Sequence, residues 1–579
     1  MKYRLNYHLS FLFILSVLSL NAQEKENDTI KTDELIITKK YSPTVNDAFK
    51  IKPQPQRKDT LTSQRKSLDY SIINIPVAST FTPSKGVASN IERQPRPRVY
   101  KNYASLGAGS YANILAEFYG EVDINRNQKL DIDLNHFSSS GGVDRVFLDD
   151  DFLQTFLGLN LETKNRDFRW STFLNTDYQS INWYGININA LNPISQNEID
   201  AIDSQQNYFY ISTGGSIAPY QSFLDQLLID LNYFADDFSN SEIYLKVKPE
   251  LDFYLMNQLL ETDFEVDYLT GSFSAVNAGQ SHLDYNFLNL RMNPHLRLNQ
   301  GNLSADLGAQ VVYSSDIEAE KSDFYVYPKV NLNYAFNDEK FVAFTGARGN
   351  LEQNSYQSLV NENPFVQPFL NISPTNHQID AYVGLKGKFV DELSFLVKGS
   401  YEISENYAFY ASNPFIPEAN RDQGFEYGNS FNVVYDDLKV LSFQASLQYD
   451  LSSDLQMGFR GAFNSFSTDI LVEAINLPEI TYSFDTQYQI NDQWSVGGVL
   501  FYRGERKDFA ETPNLDGSLS FVTIDDYLDV NLQSTYQINE KLAVFVQGNN
   551  LIEGNYRRWK DYRVQSLQIL GGLQFQFDW

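Results

Sequence analysis

Apolar and polar residues alternate position by position along most of this chain. In the final stretch, Val564 to Trp579, one parity holds Leu567, Ile569, Gly571, Leu573, Phe575, Phe577 and Trp579. The other holds Gln568, Gln574, Gln576 and Asp578. A period of two predicts a strand with one apolar and one wet face. The same pattern recurs upstream. Ile114, Ala116, Phe118, Gly120, Val122 and Ile124 alternate with Glu117, Tyr119, Glu121 and Asp123. Leu441, Phe443, Ala445, Leu447 and Tyr449 alternate with Gln444, Ser446, Gln448 and Asp450. Leu528, Val530, Leu532 and Tyr536 alternate with Asp529, Asn531, Gln533 and Gln537. Such strands suit either a soluble sandwich, polar face out, or a membrane barrel, polar face in.

The connections separate the two. Short polar turns fall at Asn125–Asn127, Lys164–Asp167, Tyr220–Gln226, Met256–Gln258, Asn299–Gly301, Asn337–Glu339, Val390–Glu392, Ser452–Asp454, Asn491–Gln493 and Asn539–Lys541. Between them lie mostly longer connections, such as Ser138–Phe152, Gly185–Asn207, Glu352–Asn376, Glu405–Asp437 and Ile552–Arg563, with a short one near Tyr111. Outer-membrane barrels have short turns inside, longer loops outside and an even strand count. Ten turns and eleven loops predict about 22 strands, with both ends of the barrel on the inner side. The fold class expected is therefore all-β: a closed antiparallel transmembrane barrel over residues 99–579. Lipid tolerates no open sheet edge, so the last strand must pair with the first. Leu573, Phe575, Phe577 and Trp579 are the residues expected to close it.

Upstream of residue 99 the pattern disappears. Residues 1–22 read as a secretory signal, with Lys2 and Arg4 before an apolar centre from Leu9 to Leu20 and a small-residue site at Asn21-Ala22. Residues 23–98 hold seven of the 19 prolines, which block helix interiors and sheet ladders, and predict an extended arm. That arm carries 14 Lys and Arg against 9 Asp and Glu, a net of +5. From Val99 onward 29 basic residues face 64 acidic ones, a net of −35, which makes nucleic acid an unsuitable partner. Glu117, Glu121, Asp123, Asp131, Asp133, Asp450, Asp485 and Asp529 share the lumen parity, so an acidic lumen is expected. A basic, Pro-stiffened arm would thread it as a minimal plug, or else dock a partner beneath the membrane.

Candidate chemistry is sparse. Cysteine is absent, and of the four histidines after the signal, His136, His282, His295 and His377, no two have metal-motif spacing. His136 shares parity with Leu130, Ile132 and Leu134 and is expected to face lipid beside Ser138–Ser140, which disfavours a hydrolytic role. Asp149-Asp150-Asp151 has the oxygen chemistry for calcium but reads more simply as a solvated loop tip. The Trp, Tyr and Phe residues suit interfacial girdles. No enzyme and no cofactor are expected.

The C-terminal third resembles the TonB-dependent receptors through Asp526 to Leu532, Gln547-Gly548-Asn549-Asn550-Leu551, Tyr556 and the closing strand. That resemblance implies a 22-stranded barrel for nutrient uptake energised by TonB. It covers the barrel, whereas only 76 residues lie between Gln23 and Arg98, too few for that family's globular plug. Asp33, Glu34, Leu35, Ile36, Ile37 and Thr38 are similar to a TonB-contacting box, a segment able to add as a strand to a periplasmic partner. The expected role is substrate uptake at the outer membrane of a Gram-negative bacterium, with a reduced or partner-supplied plug. The alternatives are a scaffold in an outer-membrane assembly and a passive channel. Partners expected are outer-membrane lipid, TonB or another periplasmic protein, and a lid lipoprotein or other outer-membrane subunits.

Overall fold

The computed structural model describes residues 99–186, 196–255, 258–274, 282–336, 340–415, 423–510, 520–552 and 554–579. The signal segment, the arm and Asp33 to Thr38 lie outside them. In chain order the strands are β1 (Asn102–Gly109), β2 (Ile114–Asn125), β3 (Gln128–Ser139), β4 (Phe152–Lys164), β5 (Phe168–Asn182), β6 (Gln205–Pro219), β7 (Leu224–Asp236), β8 (Ser241–Leu255) and β9 (Gln258–Phe273). There follow β10 (Leu283–Gln300), β11 (Leu303–Asp316), β12 (Lys321–Phe336), β13 (Phe341–Glu352), β14 (Thr375–Val390), β15 (Leu393–Ser412), β16 (Phe431–Asp450), β17 (Leu455–Thr468), β18 (Ile480–Asn491) and β19 (Trp494–Arg503). The chain ends with β20 (Arg506–Phe509), β21 (Phe521–Ile524), β22 (Tyr527–Gln537), β23 (Leu542–Asn549), β24 (Arg557–Trp559), β25 (Tyr562–Arg563) and β26 (Gln568–Phe577). Among the described residues two α-helices sit in loops, α1 (Gln196–Ile199) and α2 (Tyr356–Glu362), and a single 3-10 turn, Ser110–Ala112, joins β1 to β2.

Twenty-two of these strands form one antiparallel sheet; β20–β21 and β24–β25 are separate hairpins within loops. The sheet is closed. Strand β1 pairs with β26 in an unbroken register from Asn102↔Phe577 to Gly109↔Leu570, which places Leu106 opposite Leu573 and Ala104 opposite Phe575. Leu573 and Phe575 are 54% and 43% exposed on the outer surface, Phe577 stacks on Phe575, and Trp579 follows beyond the strand with its edge toward Phe577. Gln574 lies on the opposite face, paired with Ser105. The seam needs a glycine at 572, because a Cβ there would sit 2.2 Å from the Leu106 carbonyl and 2.6 Å from the Phe545 ring.

Eight of the ten short turns fall among the described residues and connect consecutive strands, and their chemistry is local; Met256–Gln258 and Asn337–Glu339 fall wholly or largely outside the described residues. Asn125 Oδ1 accepts the Asn127 N–H, Asn491 Oδ1 those of Gln493 and Trp494, and Asn539 Oδ1 those of Lys541 and Leu542. These Asx turns mimic a backbone turn and reverse the chain within two or three residues. Outward aromatic residues mark both edges of an apolar band. On β12, Phe324 and Tyr334 are 67% and 52% exposed and ten residues apart, the length a tilted strand needs to cross hydrocarbon.

Two expectations need correction. The closing strand begins at Gln568, not Val564, because the Ser566 N–H donates to Gly142 O and Gln565 Nε2 to Ser139 Oγ, tying that segment to the β3–β4 loop. The expected loop Glu405–Asp437 is strand at both ends, since β15 and β16 each run 20 residues and reach Ser412 and back to Phe431. A register shift between Ser404 and Tyr407, with Asn406 at φ 56°, turns Tyr407, Phe409 and Ala411 to one face. There Leu471, Ile475, Phe509 and Phe521 from two neighbouring loops cover them.

The seam makes a directional prediction. A lysine on the lipid face costs about 2–4 kcal/mol at the bilayer midplane, and one in the lumen little. Leu573→Lys is therefore expected to impair heat-modifiable folding in membranes and Gln574→Lys to leave it intact; equal folding of the two would refute the register.

Candidate functional site

The candidate site is the lumen and the cap that closes its long-loop end. The connection between β13 and β14 carries α2. Ser355 caps this helix: its hydroxyl accepts the Ser358 N–H while the Ser358 hydroxyl accepts the Ser355 N–H. Tyr356, Leu359 and Val360, spaced i, i+3, i+4, form its buried face. That face packs on Phe234 of β7 and Phe273 of β9, whose rings lie 5.2 and 4.9 Å from Tyr356. Tyr208, Leu269, Tyr285 and Phe287 belong to the same buried cluster. All of these strand residues occupy lumen parity, which elsewhere is polar. They are apolar here because the loop, rather than water, covers them. The β24–β25 hairpin completes the cap, with Tyr562 stacked on Phe365 at 3.7 Å. Arg506 anchors that hairpin by donating to the Arg557 and Arg558 carbonyls. Burial, with Arg503 and Arg558 nearby, lowers its pKa to about 10, so it stays charged at neutral pH.

Two carboxylates of the wall, Glu242 and Asp236, fasten the cap. Glu242 of β8 accepts the Tyr356 N–H at 2.6 Å, the Gln357 N–H at 3.2 Å and the Tyr285 hydroxyl at 2.8 Å. A carboxylate at the start of a helix satisfies N–H groups that have no partner within it. Asp236 of β7 accepts the Tyr356 hydroxyl at 2.8 Å, and burial holds that phenol far above its ordinary pKa. Backbone carbonyls of the loop are also engaged, Pro364 by the Tyr208 hydroxyl and Pro368 by Asn240 Nδ2.

Beneath the cap the wall turns polar. A cavity of about 470 Å³ is lined by Tyr210, Asn232, Lys246, Glu265, Arg291, Gln353 and Gln357 among others. Arg291 bridges Glu265 at 2.9 Å and Asp267, which also accepts Asn289 Nδ2. The lumen is not of one sign. The eight carboxylates expected to face it do so, and β2 to β4 present Glu117, Glu121, Asp123, Asp131, Asp133 and Glu162, with Lys101 and Lys129 bridging Glu121, Asp123 and Asp131. However, β12 to β15 present Lys329, Arg348, Lys386, Lys388 and Lys398 alongside Asp323, Glu352, Asp380 and Glu402. The expectation of an acidic lumen holds for the first wall and fails for the second. Its basic residues are dispersed over four strands and form no run in the sequence.

The other expected residues fall as follows. His136 lies on the outward row, its Nδ1 2.8 Å from Thr155 Oγ1 and its Nε2 3.2 Å from Ser138 Oγ. Asp150 accepts the Val143 N–H and Asp151 accepts Asn182 Nδ2, so these carboxylates brace their own loop. Burial raises the Asp150 pKa. Among the described residues no group of three His, Cys, Asp or Glu could hold a metal ion. Tyr556 of the resemblance motif donates to Asp529 at 2.7 Å, and Asn550 Nδ2 reaches the Gly554 and Gln565 carbonyls, so both hold the last long loop in place.

No protein-family model matches the chain, and no curated protein matches it by sequence. Solved structures do match. The ferripyoverdine receptor of the outer membrane of Pseudomonas aeruginosa superposes with a TM-score of 0.59 at 14% identity, covering 84% of this chain and 73% of that one. The ferric-catecholate import receptor Fiu from E. coli K12 gives 0.59 at 11%, covering 84% and 82%. The siderophore receptor PirA from Acinetobacter baumannii gives 0.60 at 12%, covering 83% and 81%. The barrel has the fold of the TonB-dependent receptors. At these identities the likeness is one of fold.

Sequence reasoning missed the cap. The available signals were Ser355 and Ser358 flanking Tyr356, Leu359 and Val360 inside a connection otherwise read as loop. Glu242→Ala removes the acceptor of two N–H groups and one hydroxyl, at a cost on the order of 2–3 kcal/mol. The amides of residues 356–362 are expected to exchange with solvent faster in this variant while the barrel stays folded, and Glu242→Gln to show a smaller effect. Unchanged protection in Glu242→Ala would remove the latch.

Proposed function

We propose that this chain is an outer-membrane uptake barrel. It draws a scarce solute through the lumen with energy delivered by TonB, and residues 23–98 serve as a minimal plug. The observation that carries this reading is the self-capped mouth on a closed 22-strand wall, in a fold shared with receptors for ferripyoverdine and other siderophores. A wall of 22 strands encloses more space than its side chains can fill. A passive pore is best served by an open mouth, whereas a capped one suits a receptor that opens on demand. In this reading the ten short turns face the periplasm and the capped end faces the exterior, accessible to a lid lipoprotein or other outer-membrane subunit. The scaffold role remains the second reading, favoured by the long loops that a neighbouring subunit could grip.

Two experiments test the proposal. Deleting residues 40–95 is expected to raise single-channel conductance in planar bilayers and antibiotic sensitivity in cells. Unchanged conductance with a folded barrel moves the arm out of the lumen. Asp33 to Thr38 are taken as the TonB-contacting segment, pairing as a strand, so Ile36→Pro removes a ladder donor. Crosslinking to TonB is expected from the wild-type chain and not from this variant; crosslinking absent from both ends the energised reading.

A further inference from the structure

The cavity beneath the cap is lined by polar groups that the protein itself does not use. Tyr244 of β8 is 9% exposed and lines the cavity, yet its hydroxyl makes no hydrogen bond among the described residues. A buried phenol usually finds a partner. Lys246, two residues along the same strand, makes no ion pair among the described residues; its ammonium lies over the Tyr244 ring at 4.2 Å. An aromatic face restrains a cation without cancelling its charge. Register places Asp230 of β7 and Asp267 of β9 on either side of Lys246. Asp267 is spent on Arg291, whereas Asp230 accepts the Ser212 hydroxyl, at 3.2 Å, through one oxygen alone. Arg291 is itself occupied, bridging Glu265 and Asp267 and donating to the Leu351 carbonyl.

The roof of the same cavity is neutral. Ser355, which caps α2, and Gln357 and Ser358 within it all face the space, with Gln353 just before them. Among the described residues the one aliphatic side chain in the lining is Leu351, which is 1% exposed. A solute with a net charge gains little here. An anion that reached Lys246 would meet Asp230, Glu265 and Glu352, and a cation that reached Asp230 would meet Lys246 and Arg291. An apolar solute would strip water from these groups and return no hydrogen bond. A neutral solute rich in hydroxyls matches them, because each O–H can donate to a carboxylate and accept from an ammonium or amide. The volume, about 470 Å³, falls within the range of small-molecule sites.

We propose that this cavity binds a small, uncharged, polyhydroxylated solute of mono- or disaccharide size, held between the β7–β10 wall and α2. Because α2 forms the roof, a bound solute ties the cap to the wall below it and closes the mouth above itself. A ligand that binds the capped state alone stabilises that state as it saturates. The inference deepens the uptake reading and rests on it for one point, the reason a solute enters the lumen.

The test uses the full-length chain in detergent, with glucose, N-acetylglucosamine, maltose and sucrose as probes in titration calorimetry. Saturable binding of at least one is expected. Glucuronate and protonated glucosamine, the same ring with a charge, should bind more weakly than the neutral sugars; tighter binding of either overturns the neutral site. Tyr244→Phe removes a hydroxyl without a partner in the described protein, so its thermal unfolding should match wild type. Its affinity should fall about three- to tenfold, the loss of one hydrogen bond, and Lys246→Met should cost about tenfold or more. At a hundredfold excess over Kd, the amides of residues 356–362 should exchange about a hundredfold more slowly. No saturable binding of any sugar, or wild-type affinity in both variants, overturns the site. Binding without slowed exchange overturns the closure by α2. Binding without sugar uptake by cells that carry the chain, relative to cells that lack it, keeps the site and overturns uptake instead.

Discussion

Everything in this barrel depends on one constraint: inside hydrocarbon a backbone N–H or C=O without a partner costs several kcal/mol. A sheet in lipid can meet that demand only by having no edge. The pairing of β1 with β26 removes the edge, with Leu106, Leu573 and Phe575 facing out and a glycine at 572 where a Cβ would meet the neighbouring backbone. Closure at 22 strands then creates a second problem. The ring is too wide for its own side chains to fill, so what occupies the lumen must come from elsewhere. The cap, supplied by loops, is one answer to that width.

Much of the barrel is legible in the sequence because its rules are local. Alternation sets the face of each residue, and Asn125, Asn491 and Asn539 reverse the chain with their own side chains. The facing of Glu117, Asp133 and Asp485 follows from parity alone. What resists reading is whatever long-range packing decides. Phe234, Leu269, Phe273 and Phe287 stand on the polar parity and look like breaks in the pattern until a loop some 70 to 130 residues away covers them. The upper halves of β15 and β16 look like loop because the shift at Asn406 interrupts their alternation. The basic wall is hidden for a different reason. Its cations are scattered over four strands and become neighbours only through register, so no window along the chain contains the cluster.

The cap also shows how a polar-lined tube can hold an apolar core without contradicting its own pattern. Lumen residues near the long loops meet protein, those lower down meet water, and the chemistry of each strand changes along its length accordingly. Tyr244 and Lys246, two residues apart on β8, mark the change, and the lysine ammonium lies over the tyrosine ring at 4.2 Å. The buried carboxylate of Glu242 sits at the boundary, where a charge can be surrounded by N–H and O–H donors while remaining part of the wall.

The height of β15 and β16 carries a consequence for what can reach the mouth. All strands start from the same short-turn end, but these two run 20 residues while β1 runs eight and joins β2 through only four. At about 3.3 Å per residue that is roughly 66 Å of strand against 26 Å. The rim is therefore a slope, with a braced two-strand wall on its high side and a low sill at the seam. That low side is not left open: Ser139, Gln565, Ser566 and Gln568 are buried where the β3–β4 loop meets the last long loop, so the shortest strands are sealed above the seam by two loops bound to each other.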